Sequence, residues 1–244
     1  ANKSTLGDER KSSWAFKDQT KNEFIQELLD SQPFIPSYFG FNVDINKLGA
    51  INLRKALGNV DFRLGNTVND LIIDVRDEES FKNGHLAGSI NIQATSQDHK
   101  FETWLGSIVQ PKELFSLVIP SSKYLDDLLN RVSKIGYEKQ LKTVFTLDAE
   151  NLEKSDELDL DDFRNNTSNY TIVDIRNQSE INDEKYFKNA LEHPLNDLRE
   201  THKSIPTDKP IVVHCAGGYR SAAGYSVLEK ELKNVKIYDL SDHI

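Results

Sequence analysis

The chain of 244 residues is long enough to bury two modest hydrophobic cores, and we expect two domains. Acidic side chains outnumber basic ones by 39 to 30, and the net charge of -9 argues against nucleic acid and against an anionic membrane as partners. The sequence contains neither an apolar run of membrane-spanning length nor a charged-then-apolar leader. We therefore expect a soluble, cytoplasmic protein.

The first 50 residues contain one pattern typical of an amphipathic helix, KNEFIQELLDSQPF, which Pro33 is predicted to end. The next stretch, IPSYFGFNVDINKLGA, is rich in aromatic residues and is predicted to be extended and to cover a surface. Together these segments carry too little apolar surface to close a core of their own. We expect them to pack on the neighbouring domain or on a partner.

A repeat follows, because LIIDVRDEESF at residues 71–81 and TIVDIRNQSEI at residues 171–181 align without a gap. Each copy has an apolar run, an aspartate, an apolar residue, an arginine and a polar stretch. The repetition predicts two α/β domains, each a mainly parallel sheet flanked by helices. The repeated acid and base are predicted to be structural pairs that tie a strand end to neighbouring loops. They are Asp74 with Arg76 in the first copy and Asp174 with Arg176 in the second.

The first copy lacks the features of a reactive loop. Its strand LFSLVIP is followed by SSKYLDDLLNRVSKIGY, which has no cysteine and no pair of glycines. Ser121 or Ser122 could attack a substrate, but no local histidine or acid dyad presents itself as a base, and this copy is predicted to be inactive. The charge-rich joint from Asp148, DAENLEKSDELDLDDF, is predicted to be a solvated linker ending in the first turn of a helix. The single histidines His85, His193, His202 and His243 are predicted to be surface or loop residues.

The only cysteine lies in HCAGGYRSAAGYS, residues 214–226, between the β-branched run PIVV and a stretch with helical spacing. A glycine-containing loop at a helix N-terminus points several N–H groups at one centre and favours a thiolate there. Arg220 adds a positive charge, and Ser221 could cap the helix. A buried structural cysteine would need none of these features, and Cys215 is therefore predicted to be reactive.

HCAGGYRS resembles the active-site loop of rhodanese-type sulfurtransferases, and NGHLAGSIN is similar to that family's GHIxGAxN signature. The second copy departs from this signature with KYFKNALEHPLND. Four residues separate Cys215 from Arg220, whereas cysteine-dependent phosphatases have a longer loop that holds a phosphoryl group. TLGDERKSSWAF and PSYFGFNVDINK resemble the tail of the metallo-β-lactamase-like domain in persulfide dioxygenase and sulfurtransferase fusion proteins.

The resemblance implies three parts. Residues 1–50 would be the tail of a metallo-β-lactamase-like domain or a linker, 51–147 an inactive rhodanese-like domain, and 148–244 a catalytic rhodanese domain. Iron or zinc would belong to the upstream domain, and no cofactor or metal site is expected in this chain. The expected partners are small sulfur donors, thiol acceptors and the upstream domain, with a homo-oligomer left open.

The implied activity is sulfur transfer in sulfide and persulfide metabolism or detoxification. A persulfide on Cys215 would carry sulfane sulfur from thiosulfate or a low-molecular-weight persulfide to a thiol or sulfite. Arg220 would be the second catalytic residue, either closing the ring through its own hydrogen bonds or steering anionic donors. The implied substrate-binding residues are Ala216, Gly217, Gly218, Tyr219 and Ser221. Two alternatives stay open, namely a non-catalytic sulfide-sensing or scaffold module, and a cysteine-dependent phosphatase or arsenate reductase.

Overall fold

The computed structural model of the chain describes residues 3–30, 32, 34–58, 60–64, 70–148 and 150–244. The chain divides into two compact parts, residues 1–34 and residues 35–244. Among the described residues, no helix is both long and apolar enough to cross a membrane.

The first part contains helices α1 (Leu6–Ser12) and α2 (Lys21–Leu29). α2 confirms the helix predicted there. It begins with a capping box, because the Thr20 hydroxyl accepts from the Glu23 N–H at 3.3 Å while the Thr20 N–H donates to the Glu23 carboxylate at 2.7 Å. Pro33, the expected helix terminator, lies outside the described residues.

The second part begins with helix α3 (Tyr38–Leu48), where the sequence pattern predicted an extended segment. That prediction is wrong because Tyr38, Phe41 and Ile45 recur at helical spacing and therefore share one face. Tyr38 and Phe41 lie edge-on to the ring of Tyr137, with ring centroids 6.5 and 5.8 Å away. Ile45 contacts the turn that precedes Tyr137. The aromatic residues thus cover the first repeat as a helix rather than as a strand.

The first repeat is an all-parallel sheet with accompanying helices. Its described strands are β1 (Asp61–Leu64), β2 (Leu71–Asp74), β3 (Ile90–Asn91), β4 (Phe115–Val118) and β5 (Leu141–Thr146). Its described helices are α4 (Leu53–Leu57), α5 (Glu78–Asn83), α6 (Phe101–Ile108) and α7 (Leu125–Lys134). The strand order is β1-β5-β4-β2-β3, and every pair is parallel. All four residues of β4 are buried, as expected for a parallel strand covered on both faces.

The second repeat forms a separate all-parallel sheet. Its strands are β6 (Thr171–Asp174), β7 (Leu191–Glu192), β8 (Ile211–His214) and β9 (Ile237–Asp239). Its α-helices are α8 (Leu160–Asn165), α9 (Gln178–Asp183), α10 (Leu198–Thr201) and α11 (Tyr219–Glu231). The strand order is β7-β6-β8-β9. Two distinct parallel sheets confirm the prediction of two α/β domains.

The joint between the repeats is more firmly attached than predicted. Leu152 packs on the core of the first repeat, and the backbone N–H groups of Glu153 and His85 donate to each other's carbonyl oxygens at 2.8 and 2.9 Å. Leu152 is partly buried there, and Leu158 and Leu160 of the same run pack on the core of the second repeat. Asp159 caps α8, which confirms the predicted helical turn at the end of the joint. His85 lies in a loop, as predicted, but it is fully buried and is therefore not a surface residue.

Helix α11 packs very closely on the sheet of the second repeat. A Cβ atom at Gly224 would lie 2.7 Å from Ile175 Cδ1 and 3.2 Å from Val213 Cγ1. A larger residue at this position would force the Ile175 and Val213 side chains, or the helix itself, to move. The close packing fixes the start of α11 against the carboxyl end of β8, where Cys215 lies.

The same helix joins the two repeats. Ser226, Glu229 and Lys230 share one face of α11, because Glu229 and Lys230 lie three and four residues after Ser226. Their partners in the first repeat are the Asn91 N–H, which donates to Ser226 Oγ at 2.9 Å, His85 Nε2, at 3.1 Å from the Glu229 carboxylate, and the Gly88 carbonyl, which accepts from Lys230 Nζ at 3.2 Å. Burial opposes protonation of His85, but the hydrogen bond to Glu229 raises the pKa of His85.

Candidate active site

Cys215 directly follows β8 and lies in the turn that leads into α11. Its side chain is 1% exposed, and the backbone N–H of Gly217 points at Cys215 Sγ from 3.5 Å. Gly218 adopts φ +85°, and a Cβ there would lie 3.3 Å from Ser241 Oγ. Glycine is therefore favoured at this position both by the backbone and by the available space. The thiol consequently lies at the N-terminus of a helix of 13 residues, which favours negative charge.

Arg220 forms a two-pronged ion pair with Glu180 of α9. Arg220 Nη1 and Nη2 donate to the two carboxylate oxygens of Glu180 at 2.6 and 2.7 Å. The Asn177 N–H also donates to Glu180, at 3.1 Å. The hydrogen bonds from Arg220 lower the pKa of Glu180. Burial opposes the charge on Arg220, but Glu180 and the Cys215 sulfur raise the pKa of Arg220. The pair thus holds a positive charge beside the loop.

Glu180 was not recognised from the sequence, although the repeat contains a signal for it. In the alignment of the two copies, Glu180 corresponds to Ser80. The first copy therefore lacks the acid as well as the arginine of the loop. Ser80 has a different role. Its N–H donates to the side chain of Asp77 at 2.8 Å, and Asp77 thereby caps the N-terminus of α5. Two residues that are present together in one copy of a repeat and absent together from the other are candidates for a functional pair.

Ser221 does not cap α11, contrary to the prediction. The N-cap residue is Gly218, which has no side chain, and Ser221 lies inside the first turn. The buried Ser221 hydroxyl donates instead to the Gly218 carbonyl at 2.8 Å. Ala216 and Gly217 are exposed, whereas Gly218 is buried. The accessible part of the loop is therefore its first half.

The repeated Asp-Arg pairs have the same geometry in both domains. Arg176 donates to the Asp174 carboxylate at 2.6 Å and to the Glu184 carbonyl at 2.8 Å. Arg76 and Asp74 also lie 2.6 Å apart, and Arg76 likewise donates to the loop after α5. Each pair ties the end of a central strand to the loop that follows the next helix.

His214 is buried at the end of β8 and lies on the Asp174 side of the strand. Its Nε2 atom lies 3.7 Å from the Asp174 carboxylate and has no hydrogen-bond partner among the described residues. Its ring packs against Phe187, with centroids 5.0 Å apart. Burial lowers the pKa of His214, which keeps the imidazole neutral at pH 7.

In the first repeat, Ile119 occupies the position of Cys215. The hydrogen-bond registers of the two sheets give this correspondence. The equivalent bonds are Ile175 N–H to His214 O at 3.1 Å and Val75 N–H to Val118 O at 3.0 Å. Ile119 is buried and has no nucleophilic group. The sequence comparison pointed instead to Ser121 and Ser122, which lie two and three residues further along the chain.

Replacement of Ser121 and Ser122 together by alanine is expected to leave the sulfur transfer that the resemblance implies unchanged within about twofold, because surface-type substitutions away from a reacting group have small effects. The measurement is steady-state turnover with thiosulfate. A loss of more than tenfold in a variant that unfolds at the wild-type temperature would show that the first repeat takes part in chemistry through these hydroxyls.

A cleft of about 660 Å³ opens at the rim of the loop. The second repeat contributes Asn177, Glu180, Gly217, Tyr219 and Arg220, and the first contributes Glu78, Gln93, Asp98, His99, Lys100 and Trp104. Tyr219 joins the two walls, because its hydroxyl donates to the Gln93 carbonyl at 3.1 Å and its ring lies 5.1 Å from that of His99. No cluster of three or more histidine, cysteine or acidic side chains suited to a metal ion occurs among the described residues.

Comparison with known proteins places the chain in a family. A search of curated protein sequences gave no match. Among solved structures, a metallo-β-lactamase from Staphylococcus aureus subsp. aureus COL is 24% identical, with a TM-score of 0.47 over 58% of this chain and 40% of that chain. A rhodanese-related protein from Thermoplasma volcanium is 30% identical, with a TM-score of 0.31 over 34% of this chain and 82% of its own.

A thiosulfate sulfurtransferase from Pseudomonas aeruginosa is 14% identical, with a TM-score of 0.30 over 78% of this chain and 39% of that chain. The chain thus spans less than half the length of two of these three proteins. The sequence model of the rhodanese-like domain matches twice, at residues 58–142 and 159–241. These two matches cover more than half of the chain, which therefore belongs to the rhodanese-like domain family.

Proposed function

We propose that the chain is a sulfurtransferase whose sulfur carrier is Cys215. The observation that carries this proposal is the position of the thiol, 1% exposed at the start of α11 and faced by the Gly217 N–H. The helix N-terminus, the inward N–H and the nearby Arg220 all favour an anionic sulfur. A structural cysteine would need none of these groups.

The reaction would proceed in two transfers. In the first, the Cys215 thiolate attacks the outer sulfur of thiosulfate or of a low-molecular-weight persulfide. The S–S bond of the donor breaks, its electron pair leaves with sulfite or a thiolate, and a persulfide remains on Cys215. In the second, a thiol or sulfite attacks the outer sulfur of this persulfide, and the electron pair of the S–S bond returns to Cys215. No oxidant or reductant is consumed.

The loop would stabilise the persulfide through backbone N–H groups between Ala216 and Ser221, of which that of Gly217 already donates to Cys215 Sγ while that of Tyr219 donates to the Gly217 carbonyl. For Arg220, the ion pair with Glu180 supports the role of a fixed charge, and the interaction of Arg220 with the Cys215 sulfur is consistent with a ring-closing hydrogen bond as well. Much of the positive charge is compensated by Glu180, so Arg220 contributes orientation as well as attraction.

Two other functions make different predictions. A sensor or scaffold module would take up one sulfur and keep it, whereas an enzyme passes it on repeatedly. A phosphatase or arsenate reductase would need to seat a tetrahedral oxyanion in the loop. The ring from Cys215 to Arg220 encloses four residues, which suits a single sulfur atom better than a phosphoryl group.

The deciding experiment combines intact mass with turnover. After incubation with thiosulfate, the protein should gain one sulfur atom, localised by peptide mapping to Cys215. Added sulfite, cyanide or thiol should then remove the sulfur, and many cycles should follow with excess donor. Loading without repeated turnover would favour the sensor, and hydrolysis of an aryl phosphate faster than sulfur transfer would favour the phosphatase.

We further propose that these two repeats act beside a metallo-β-lactamase-like domain, to which any iron or zinc would belong. The support is the resemblance of residues 1–50 to the tail of such a domain in fusion proteins. Co-purification of the chain with a separately expressed domain of that type would support the proposal, and failure to associate at micromolar concentration would count against it.

A further inference from the structure

A histidine of the first repeat shares the cleft with the cysteine loop. His99 lines the same cavity as Gly217 and Arg220, and its ring lies 5.1 Å from the ring of Tyr219. The side chain is half-buried. Nothing in the sequence near His99 suggests a function, because it follows the signature of the inactive copy and stands alone. The contact arises only when the two repeats face each other.

The surroundings of His99 keep its imidazole in the neutral form. Its Nδ1 atom is buried without a hydrogen-bond partner among the described residues, while its carbonyl accepts from Arg131 at 2.6 Å. Burial and the charge of Arg131 lower the pKa of His99, although Asp98 opposes this. The other charged or titratable side chains that line the cleft are Glu78, Lys100, Glu180, Tyr219 and Arg220, and Glu102 of α6 pairs with Arg131 beside it.

Tyr219 and Glu180, the titratable groups of the cleft that adjoin the cysteine loop along with Arg220, are poorly suited to accept a proton at neutral pH. The Tyr219 hydroxyl donates to the Gln93 carbonyl, and burial raises the pKa of Tyr219. The Glu180 carboxylate is held by Arg220, and this lowers the pKa of Glu180 and its basicity. The neutral His99 imidazole, by contrast, has a ring nitrogen with a free lone pair and lines the cleft beside the loop.

A base is needed for only one class of sulfur acceptor. Sulfite carries an available lone pair on sulfur at neutral pH and needs no base. A thiol must first lose its proton, and at pH 7 only about 3% of an ordinary alkyl thiol with a pKa near 8.5 is ionised. Removing this proton inside the cleft could therefore accelerate transfer to a thiol by at most about thirtyfold.

We propose that His99 is the general base for thiol acceptors, so that the inactive repeat supplies a catalytic group to the active one. This inference rests on the sulfurtransferase function proposed above. The neutral ring takes the proton of the acceptor S–H, and the acceptor sulfur attacks the outer sulfur of the Cys215 persulfide. The S–S bond breaks and its electron pair returns to Cys215 as thiolate. The acceptor leaves as a persulfide, and His99 releases its proton to water.

The test compares two acceptors in the same protein. Wild type and His99→Asn are loaded with thiosulfate, and the rates of sulfur transfer to sulfite and to glutathione are measured at pH 7. The ratio of the glutathione rate to the sulfite rate is expected to fall about tenfold in the variant, within the limit set by thiol ionisation. His99→Gln serves as a second variant, and His243→Asn, an exposed histidine outside the cleft, is the matched control and should leave the ratio unchanged.

The pH profile gives an independent readout. The glutathione rate of the wild type should level off above the pKa of His99, whereas that of His99→Asn should keep rising about tenfold per pH unit towards the pKa of the thiol. An unchanged ratio, or an equal loss with both acceptors, would overturn the proposal and assign His99 a positioning role beside Tyr219. Failure of wild-type Cys215 to gain sulfur at all would instead refute the sulfurtransferase function itself, and this inference with it.

Discussion

Cys215→Ser is expected to abolish sulfur loading and to lower transfer by on the order of a thousandfold or more, because removal of a covalent nucleophile has effects of this size or larger. A serine hydroxyl is not ionised at neutral pH, and its oxygen does not carry sulfane sulfur. Cys215 is buried, and serine is close to cysteine in volume. The serine oxygen can still accept a hydrogen bond from the Gly217 N–H. The measurement is intact mass after thiosulfate treatment, together with turnover.

The control for this variant is stability. The free energies of unfolding of Cys215→Ser and Cys215→Ala should lie within about 1 kcal/mol of the wild-type value, since the change is close to volume-conserving and involves few atoms. Because the chain contains one cysteine, no second thiol could substitute for it. Sulfur transfer that survives in Cys215→Ser would exclude a carrier role and leave the loop as a binding element.

Arg220→Ala is expected to lower kcat/KM for thiosulfate by roughly a hundredfold, a typical loss when one group that stabilises reaction charge is removed. The variant removes a positive charge beside Cys215 and also leaves the Glu180 carboxylate without its partner. An unpaired carboxylate repels both the thiolate and an anionic donor. The double variant Arg220→Ala/Glu180→Gln should therefore recover about tenfold over Arg220→Ala alone, a coupling that a double-mutant cycle measures directly.

Equal activity of the single and double variants would show that the charge of Glu180 has no effect on the reaction.

The ion pair between Arg220 and Glu180 also has a predictable effect on the pH dependence of stability. Arg220 lowers the pKa of Glu180, so the pair stabilises the fold above the ordinary pKa of a glutamate and loses this contribution as pH falls through the lowered value. The difference in free energy of unfolding between wild type and Arg220→Ala should accordingly be constant from pH 7 to about pH 5 and shrink below about pH 4.

The features that could be predicted from the sequence are those written in short stretches of it. The β-branched runs that end in Asp74 and Asp174 identify central parallel strands, because buried parallel strands are apolar on both faces. The loop from Cys215 to Arg220 is contiguous, and its glycines and arginine reveal its chemistry without tertiary information. The failure at Tyr38–Leu48 has the opposite cause. There, aromatic composition suggested an extended segment, while the spacing that fits the surface of the first repeat decided for a helix.

The missing parts of the site come from distant segments. Glu180 reaches Arg220 across 40 residues of sequence, and Gln93 reaches Tyr219 across 126. His99 belongs to the other repeat altogether. No local pattern encodes such meetings, since they depend on how helices are seated against strands and on how the two domains face each other. The equivalence of Ile119 in the first repeat and Cys215 in the second likewise becomes visible only when the strand pairing in both sheets is known.

Helix α11 has a consequence beyond catalysis, because it begins at the sulfur-carrying loop and continues along the boundary between the repeats through Ser226, Glu229 and Lys230. Its two ends cannot move independently while Gly224 holds its middle tightly against the sheet. Under the proposed function, sulfur occupancy of Cys215 and docking of the two repeats would therefore be linked equilibria. Consider a ligand that binds the first repeat and changes the affinity of the loop for sulfur by some factor. The affinity of the first repeat for that ligand must then change by the same factor when Cys215 carries sulfur. The first repeat would thereby be the part of the chain through which such a ligand changes, and responds to, the sulfur loading of the second repeat.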